Sequence, residues 1–117
     1  MREQLWERID ILEQGGVISQ KVAQFSKKVT DIMLAELEHP KQDKMEMFIT
    51  HLAMAGKRAE EGTEENPMDE DLLESMKEEP NYEKALKLLE RLLGETDLPF
   101  SKTEQDFLSV HICNLLS

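Results

Sequence analysis

The sequence has little of what secreted scaffolds and membrane proteins are built from. Its 117 residues include one cysteine, Cys113, so no disulfide can form within the chain. The charged N-terminal residues 1–8 lack the apolar core of a signal peptide. No apolar run approaches the roughly 20 residues needed to cross a bilayer. We therefore expect a cytoplasmic protein that does not enter a membrane.

Positive charge is also scarce. The chain has 14 Lys and Arg against 25 Asp and Glu, which gives a formal net charge of −11. Such a charge repels a phosphate backbone, so we expect no direct binding to nucleic acid. Between Glu60 and Glu79 there are ten carboxylates and one base, Lys77. We interpret this segment as a solvated surface, with docking of a basic partner as the alternative.

Signatures of common catalytic and metal sites are missing from the sequence. It contains no Gly-x-Ser-x-Gly elbow and no glycine-rich phosphate loop, so we do not expect an enzyme. It contains no His-x-x-x-His or Cys-x-x-Cys pair, and His39, His51 and His111 come from separate segments. We therefore predict no metal site and no cofactor.

What the sequence does have is helical periodicity. Apolar residues recur three, four and seven positions apart, and glycines, prolines and capping residues interrupt the pattern. The first predicted helix stops at Gly15. The second is capped by Ser19 and closed by Pro40, the third runs from about residue 42 to 61, and the fourth is capped by Asp69 and broken by Pro80. The fifth spans residues 82–93, and the last begins at Ser101 and continues through Leu115. These patterns predict one all-α domain over residues 1–117, folded as a bundle of five or six helices.

Some positions in these helices have specific expected roles. Asn81 is expected to cap the helix that follows it, and the segment 101–104, SKTE, matches a capping box. Met47 and Leu86 lie on the apolar stripes of their helices, so we expect both in the core. Gly56 interrupts the middle of a helix, which suggests close helix packing.

Two histidines, His51 and His111, stand where ordinary core residues are expected in amphipathic helices. Imidazole has an unperturbed pKa of about 6.5, close to neutrality. Arg58 follows His51 by seven residues and Glu104 precedes His111 by seven, so each pair shares a helix face. From the residues alone, each histidine is either a partly buried ring that makes one hydrogen bond or a group with a chemical role.

Three segments in order resemble the PTS regulation domain, a helical module that senses sugar transport through histidine phosphorylation. They are His51 with Arg58, the segment 80–85 (PNYEKA), and the segment 98–100 (LPF) leading into 104–112 (EQDFLSVHI). The resemblance covers about residues 19–117. Thr50 departs from the pattern, because the residue before the first histidine is often acidic in the family.

The resemblance implies a five-helix bundle in which His51 and His111 accept a phosphoryl group. The implied donor is the phosphocarrier HPr or a sugar-specific B component of the phosphotransferase system. By the same resemblance, Arg58 and Glu104 stabilise or orient the phosphate, and modification shifts a homodimer equilibrium. Because these 117 residues leave no room for an effector, we expect a stand-alone domain that signals to a partner in transcriptional or metabolic control.

Two other hypotheses remain open at this point. The chain could be a helical interaction protein that keeps the same bundle without phosphorylation, a hypothesis that Thr50 and the missing effector favour. A bundle that binds a metal or ligand through His51, His111 and nearby carboxylates is the third hypothesis.

Overall fold

The computed structural model of the chain describes residues 1–63 and 66–117, and the regular elements within them are all helices. In chain order they are α1 (Arg2–Gln14), α2 (Gln20–Glu36), α3 (Gln42–Glu61), α4 (Glu70–Lys77), α5 (Tyr82–Leu93) and α6 (Lys102–Leu116). The prediction of an all-α bundle of five or six helices is confirmed. Glu64 and Glu65, which belong to the acidic segment, lie outside the described residues. Within the described ranges, no helix is both long enough and apolar enough to span a bilayer.

Most helix ends fall where the capping residues predicted them. The Ser19 hydroxyl accepts a hydrogen bond from the backbone N–H of Val22 at 3.1 Å, and the Ser101 hydroxyl accepts one from the N–H of Glu104 at 3.2 Å. Each bond satisfies a backbone donor that has no partner within its helix. Helix α3 ends at Gly62, whose φ of 72° is a left-handed conformation that favours glycine.

The predicted side-chain cap at Asn81 is wrong, although α5 begins immediately after this residue. The Asn81 amide Nδ2 instead donates a hydrogen bond to the backbone carbonyl of Leu116 at 3.1 Å. That carbonyl belongs to the last turn of α6, where carbonyl groups have no N–H donor within their own helix. Asn81 therefore ties the start of α5 to the end of α6.

The core is built around α3, which packs on both α2 and α6, while α1 packs on α2 and α3, and α5 packs on α6. Its largest fully buried apolar side chains are Leu5, Ile9, Val22, Met33, Met45, Phe48, Ile49, Leu52, Leu92, Leu108 and Ile112. The expectation that Met47 and Leu86 belong to this core is wrong, since they are 65% and 39% exposed. On a helical wheel both side chains are turned away from the buried residues of their own helices, Met47 further than Leu86.

Helices α2 and α3 approach closely at Gly56. A Cβ atom at position 56 would lie 3.0 Å from Cγ1 of Val22 and 3.2 Å from its Cγ2. Glycine in a helix interior costs about 1 kcal/mol relative to alanine, and here it makes room for a β-branched neighbour. Gly56 is thus explained by packing that fixes α3, the helix that carries His51, against α2.

Candidate functional site

The fold brings His51 and His111 together, although 59 other residues separate them in the sequence. His51 lies on α3 and His111 on α6, two helices that pack directly against each other. The centroids of their rings are 5.0 Å apart, with 45° between the ring planes. Both side chains are partly buried at the edge of the core, so the two imidazoles form one site.

A buried carboxylate lies beside this pair. Glu104 is 1% exposed, although glutamate is rarely buried without a partner. Its Oε2 accepts a hydrogen bond from Nε of Arg58 at 2.5 Å, and its Oε1 accepts one from Nη2 at 3.2 Å. This two-point geometry is the strong form of an arginine–carboxylate pair. Oε1 also lies 3.6 Å from Nε2 of His51, close enough to stabilise positive charge on that ring.

The contacts of Glu104 cross between helices instead of following its own helix. From the seven-residue spacing within each helix, the sequence predicted that Glu104 lies beside His111 and Arg58 beside His51. In the structure, the α6 carboxylate binds Arg58 and lies near His51, and both of those residues are on α3. The predicted capping box at Ser101 is accordingly half formed, because the Glu104 backbone N–H uses the Ser101 hydroxyl while its carboxylate belongs to the site.

His111 has a less polar environment than His51. Its ring faces Phe48, with ring centroids 6.2 Å apart, and His51 on another side. Burial, reinforced by the neighbouring charge of His51, lowers the pKa of His111 from 6.5 to about 4. His111 is therefore neutral at pH 7, and one of its ring nitrogens carries a free lone pair.

An open cleft of about 700 Å³ leads to the two histidines. Its walls come from α1, α3 and α6 and consist of Arg8, Asp43, Glu46, Met47, Thr50, His51, Met54, Arg58 and His111. The Phe107 ring, 5.7 Å from that of His51 between centroids, packs beside the histidine. The cleft gives a molecule from solution access to a pair of imidazoles and two arginines.

Sequence reasoning missed Arg8 as a member of this site. Its Nη1 donates a hydrogen bond to the Thr50 hydroxyl at 3.3 Å, and its Nη2 lies 3.4 Å from Oε2 of Glu46. These contacts join α1 to α3 across about 40 positions of sequence, and no local pattern signals a pairing of that kind. Position 50, where similar domains often have an acid, here presents a neutral acceptor to an arginine.

The third histidine, His39, is exposed in the connection between α2 and α3 and is not part of the cleft. Across residues 1–63 and 66–117, no three side chains of His, Cys, Asp or Glu form a group that could hold a metal ion.

Comparison with known proteins shows the family of the chain. The family model described as the PRD domain matches residues 22–115, which include α3, all of α6 except its last residue and the two histidines, but not α1. The chain is also 26% identical over 109 residues to the uncharacterized protein YhfY of Escherichia coli strain K12, covering 92% of this chain and 91% of that protein. No solved structure matches the chain. With most of its length matched by the family model and an all-helical fold that fits it, the chain belongs to the PRD domain family.

Proposed function

We propose that the chain is a regulatory domain that the sugar phosphotransferase system phosphorylates on His51, His111 or both. The observation that carries this proposal is the pairing of the two imidazoles, 5.0 Å apart, in an open cleft beside the Arg58–Glu104 ion pair. Membership of the PRD domain family supports it. The donor is HPr or a sugar-specific B component of that system, and the output is a contact with a protein partner in transcriptional or metabolic control.

The transfer needs a neutral imidazole and groups that hold the phosphoryl oxygens. A ring nitrogen of His51 or His111 supplies the electron pair for the new N–P bond, while the bond to phosphorus in the donor breaks and its electron pair stays with the donor. Positive charge then develops on the accepting ring, and for His51 the Glu104 carboxylate 3.6 Å away stabilises it. The planar guanidinium of Arg58 provides charge-assisted hydrogen bonds for equatorial oxygens.

Phosphorylation changes the electrostatics of the interface between α3 and α6. A phosphoryl group adds roughly −1.5 to −2 charges near pH 7, if phosphorylated hydroxyl residues serve as the guide. On His51 this charge would lie close to Glu104, which is buried and already negative. Repulsion between the two negative groups would shift how α3 packs on α6. We propose that this shift controls a homodimer or a contact with another protein.

A second candidate is a helical interaction protein that keeps the bundle but is not phosphorylated. The observation that favours it is the ion pair itself, because Glu104 already binds the Nε–Nη2 edge of the Arg58 guanidinium. In that case the pair would serve only to hold α3 and α6 together.

Phosphorylation by a reconstituted relay distinguishes the two candidates. The chain is incubated with the relay ending at HPr, and separately with a B component added, and acid-labile phosphate is located by mass spectrometry under basic conditions. We expect phosphate on His51, His111 or both, and loss of each signal in His51→Ala or His111→Ala. His39→Ala, which removes an exposed histidine outside the cleft, is the matched control and should behave as the wild type. Phosphate on neither cleft histidine with any donor would leave the interaction protein as the better account.

A further inference from the structure

Helix α1 precedes the residues that the family model matches, yet it contributes a cation to the histidine cleft. Leu5 and Ile9 anchor this helix in the core with no exposed surface. One position before Ile9, Arg8 reaches α3, where its guanidinium contacts Thr50 and Glu46. Thr50 immediately precedes His51 and lines the same cleft. Arg8 is thus held beside the first histidine by two contacts to α3.

The other arginine of the cleft, Arg58, is already bound to a negative charge. Its Nε and Nη2 both donate to Glu104, a carboxylate that is almost wholly removed from solvent. Separating such a buried pair leaves a carboxylate without compensation, at high cost. Arg58 therefore cannot by itself neutralise a phosphoryl group that brings nearly two further negative charges.

Arg8 is held much less firmly than Arg58. Its side chain is 43% exposed and its partner Glu46 is 31% exposed, with 3.4 Å between the charged atoms. Exposed pairs of this kind contribute little to stability, so Arg8 exchanges one anion for another at small cost. The Thr50 hydroxyl orients the guanidinium without neutralising its charge.

We infer that Arg8 is a second phosphate-binding residue. It releases Glu46 and binds the phosphoryl oxygens on His51, while Arg58 stays bound to Glu104. The inference rests on the proposed phosphorylation of His51 and adds to it a residue outside the matched family region. In the transfer, Arg8 forms only hydrogen bonds to phosphoryl oxygens. The N–P bond still forms from the imidazole electron pair, and the donor keeps the pair from the bond that breaks. The bound group then links α1 to α3.

The test measures equilibrium binding of inorganic phosphate by the whole chain, followed through the imidazole NMR signals of His51. We expect saturable binding by the wild type and about tenfold weaker binding by Arg8→Gln, which removes charge-assisted hydrogen bonds. Arg2→Gln is the matched control, because Arg2 is on the same helix but pairs with Asp31 outside the cleft. It should bind as the wild type does.

Glu46→Gln distinguishes phosphate binding by Arg8 from a merely structural role, because a structural role would leave the phosphate affinity of this variant unchanged. Removing the competing carboxylate should tighten phosphate binding several-fold, and the gain should vanish in the double variant with Arg8→Gln. Absence of saturable binding in the wild type, or equal affinities in the wild type and Arg8→Gln, would overturn the inference.

The relay assay separates this inference from the proposed function. If the wild type binds phosphate through Arg8 but the relay does not phosphorylate it, the proposed function fails and the anion site stands. If the relay phosphorylates His51 but Arg8→Gln binds phosphate as well as the wild type does, the function stands and the role of Arg8 is lost.

Discussion

The Glu104 carboxylate on α6 is bound at two points by the Arg58 guanidinium on α3, with Nε–Oε2 and Nη2–Oε1 distances of 2.5 and 3.2 Å. This pair joins the two helices that carry the histidines, and Glu104 also lies 3.6 Å from His51. Arg58, Glu104 and His51 therefore form one electrostatic unit. A charge added to His51 would act on the contact between α3 and α6.

Replacing Glu104 by Gln should destabilise the fold by about 1–3 kcal/mol, because the partly buried Arg58 would lose the charge that compensates it. The measurement is the free energy of unfolding from urea denaturation. Glu36→Gln makes the same chemical change in an exposed pair with Arg91, and it should cost less than about 0.5 kcal/mol. Equal effects of the two substitutions would show that burial adds nothing to the Arg58–Glu104 pair.

The lowered pKa of His111 predicts a loss of stability in mild acid. His111 titrates near 6.5 in the unfolded chain and near 4 in the folded protein. Between these pH values His111 is protonated in the unfolded chain but neutral in the folded protein. The free energy of unfolding therefore falls as the pH falls through this window. The contribution is fully present above about pH 6.5 and has been lost near pH 4.

Comparison of the wild type with His111→Gln isolates this contribution from the carboxylates that titrate in both proteins. We expect the wild type to lose about 1–2 kcal/mol more than the variant between the two ends of the window, after allowance for the part of the ring that stays solvated. Urea denaturation at both ends measures it. A variant with the same pH dependence as the wild type would contradict the assignment.

Gly56→Ala should destabilise the protein by up to about 2 kcal/mol. The gain in helix propensity is near 1 kcal/mol, whereas overpacking against Val22 costs about 1–3 kcal/mol. In a Val22→Ala background the contact disappears, so the same substitution should become neutral or stabilising. A double-mutant cycle by thermal or urea denaturation measures the coupling, and additive effects would mean that the contact carries no strain.

The helices were predictable because their signals are local. Ser19, Gly62 and Ser101 act on neighbouring backbone groups, and apolar spacing identifies the buried stripe of each helix. Met47 and Leu86 were misplaced because the width of a buried stripe depends on how neighbouring helices lie. That arrangement is not encoded in the periodicity of one helix.

The sequence identified which residues lie together in the candidate site, but not which of them contact each other. His51, Arg58, Glu104 and His111 were selected by spacing and by family resemblance, and the fold places all four together. Spacing along one helix associated Glu104 with His111, while helix packing turned its carboxylate toward Arg58. Arg8 belongs to the site only through the docking of α1, so no pattern around Arg8 could identify it.

The most direct test of the account is the intact mass of the chain after treatment with the phosphotransferase relay, compared with that of the double variant His51→Ala/His111→Ala. The account predicts a base-stable, acid-labile gain of one or two phosphoryl groups in the wild type and none in the double variant. No gain in the wild type, or an equal gain in the double variant, would contradict the claim that the cleft histidines accept the phosphoryl group.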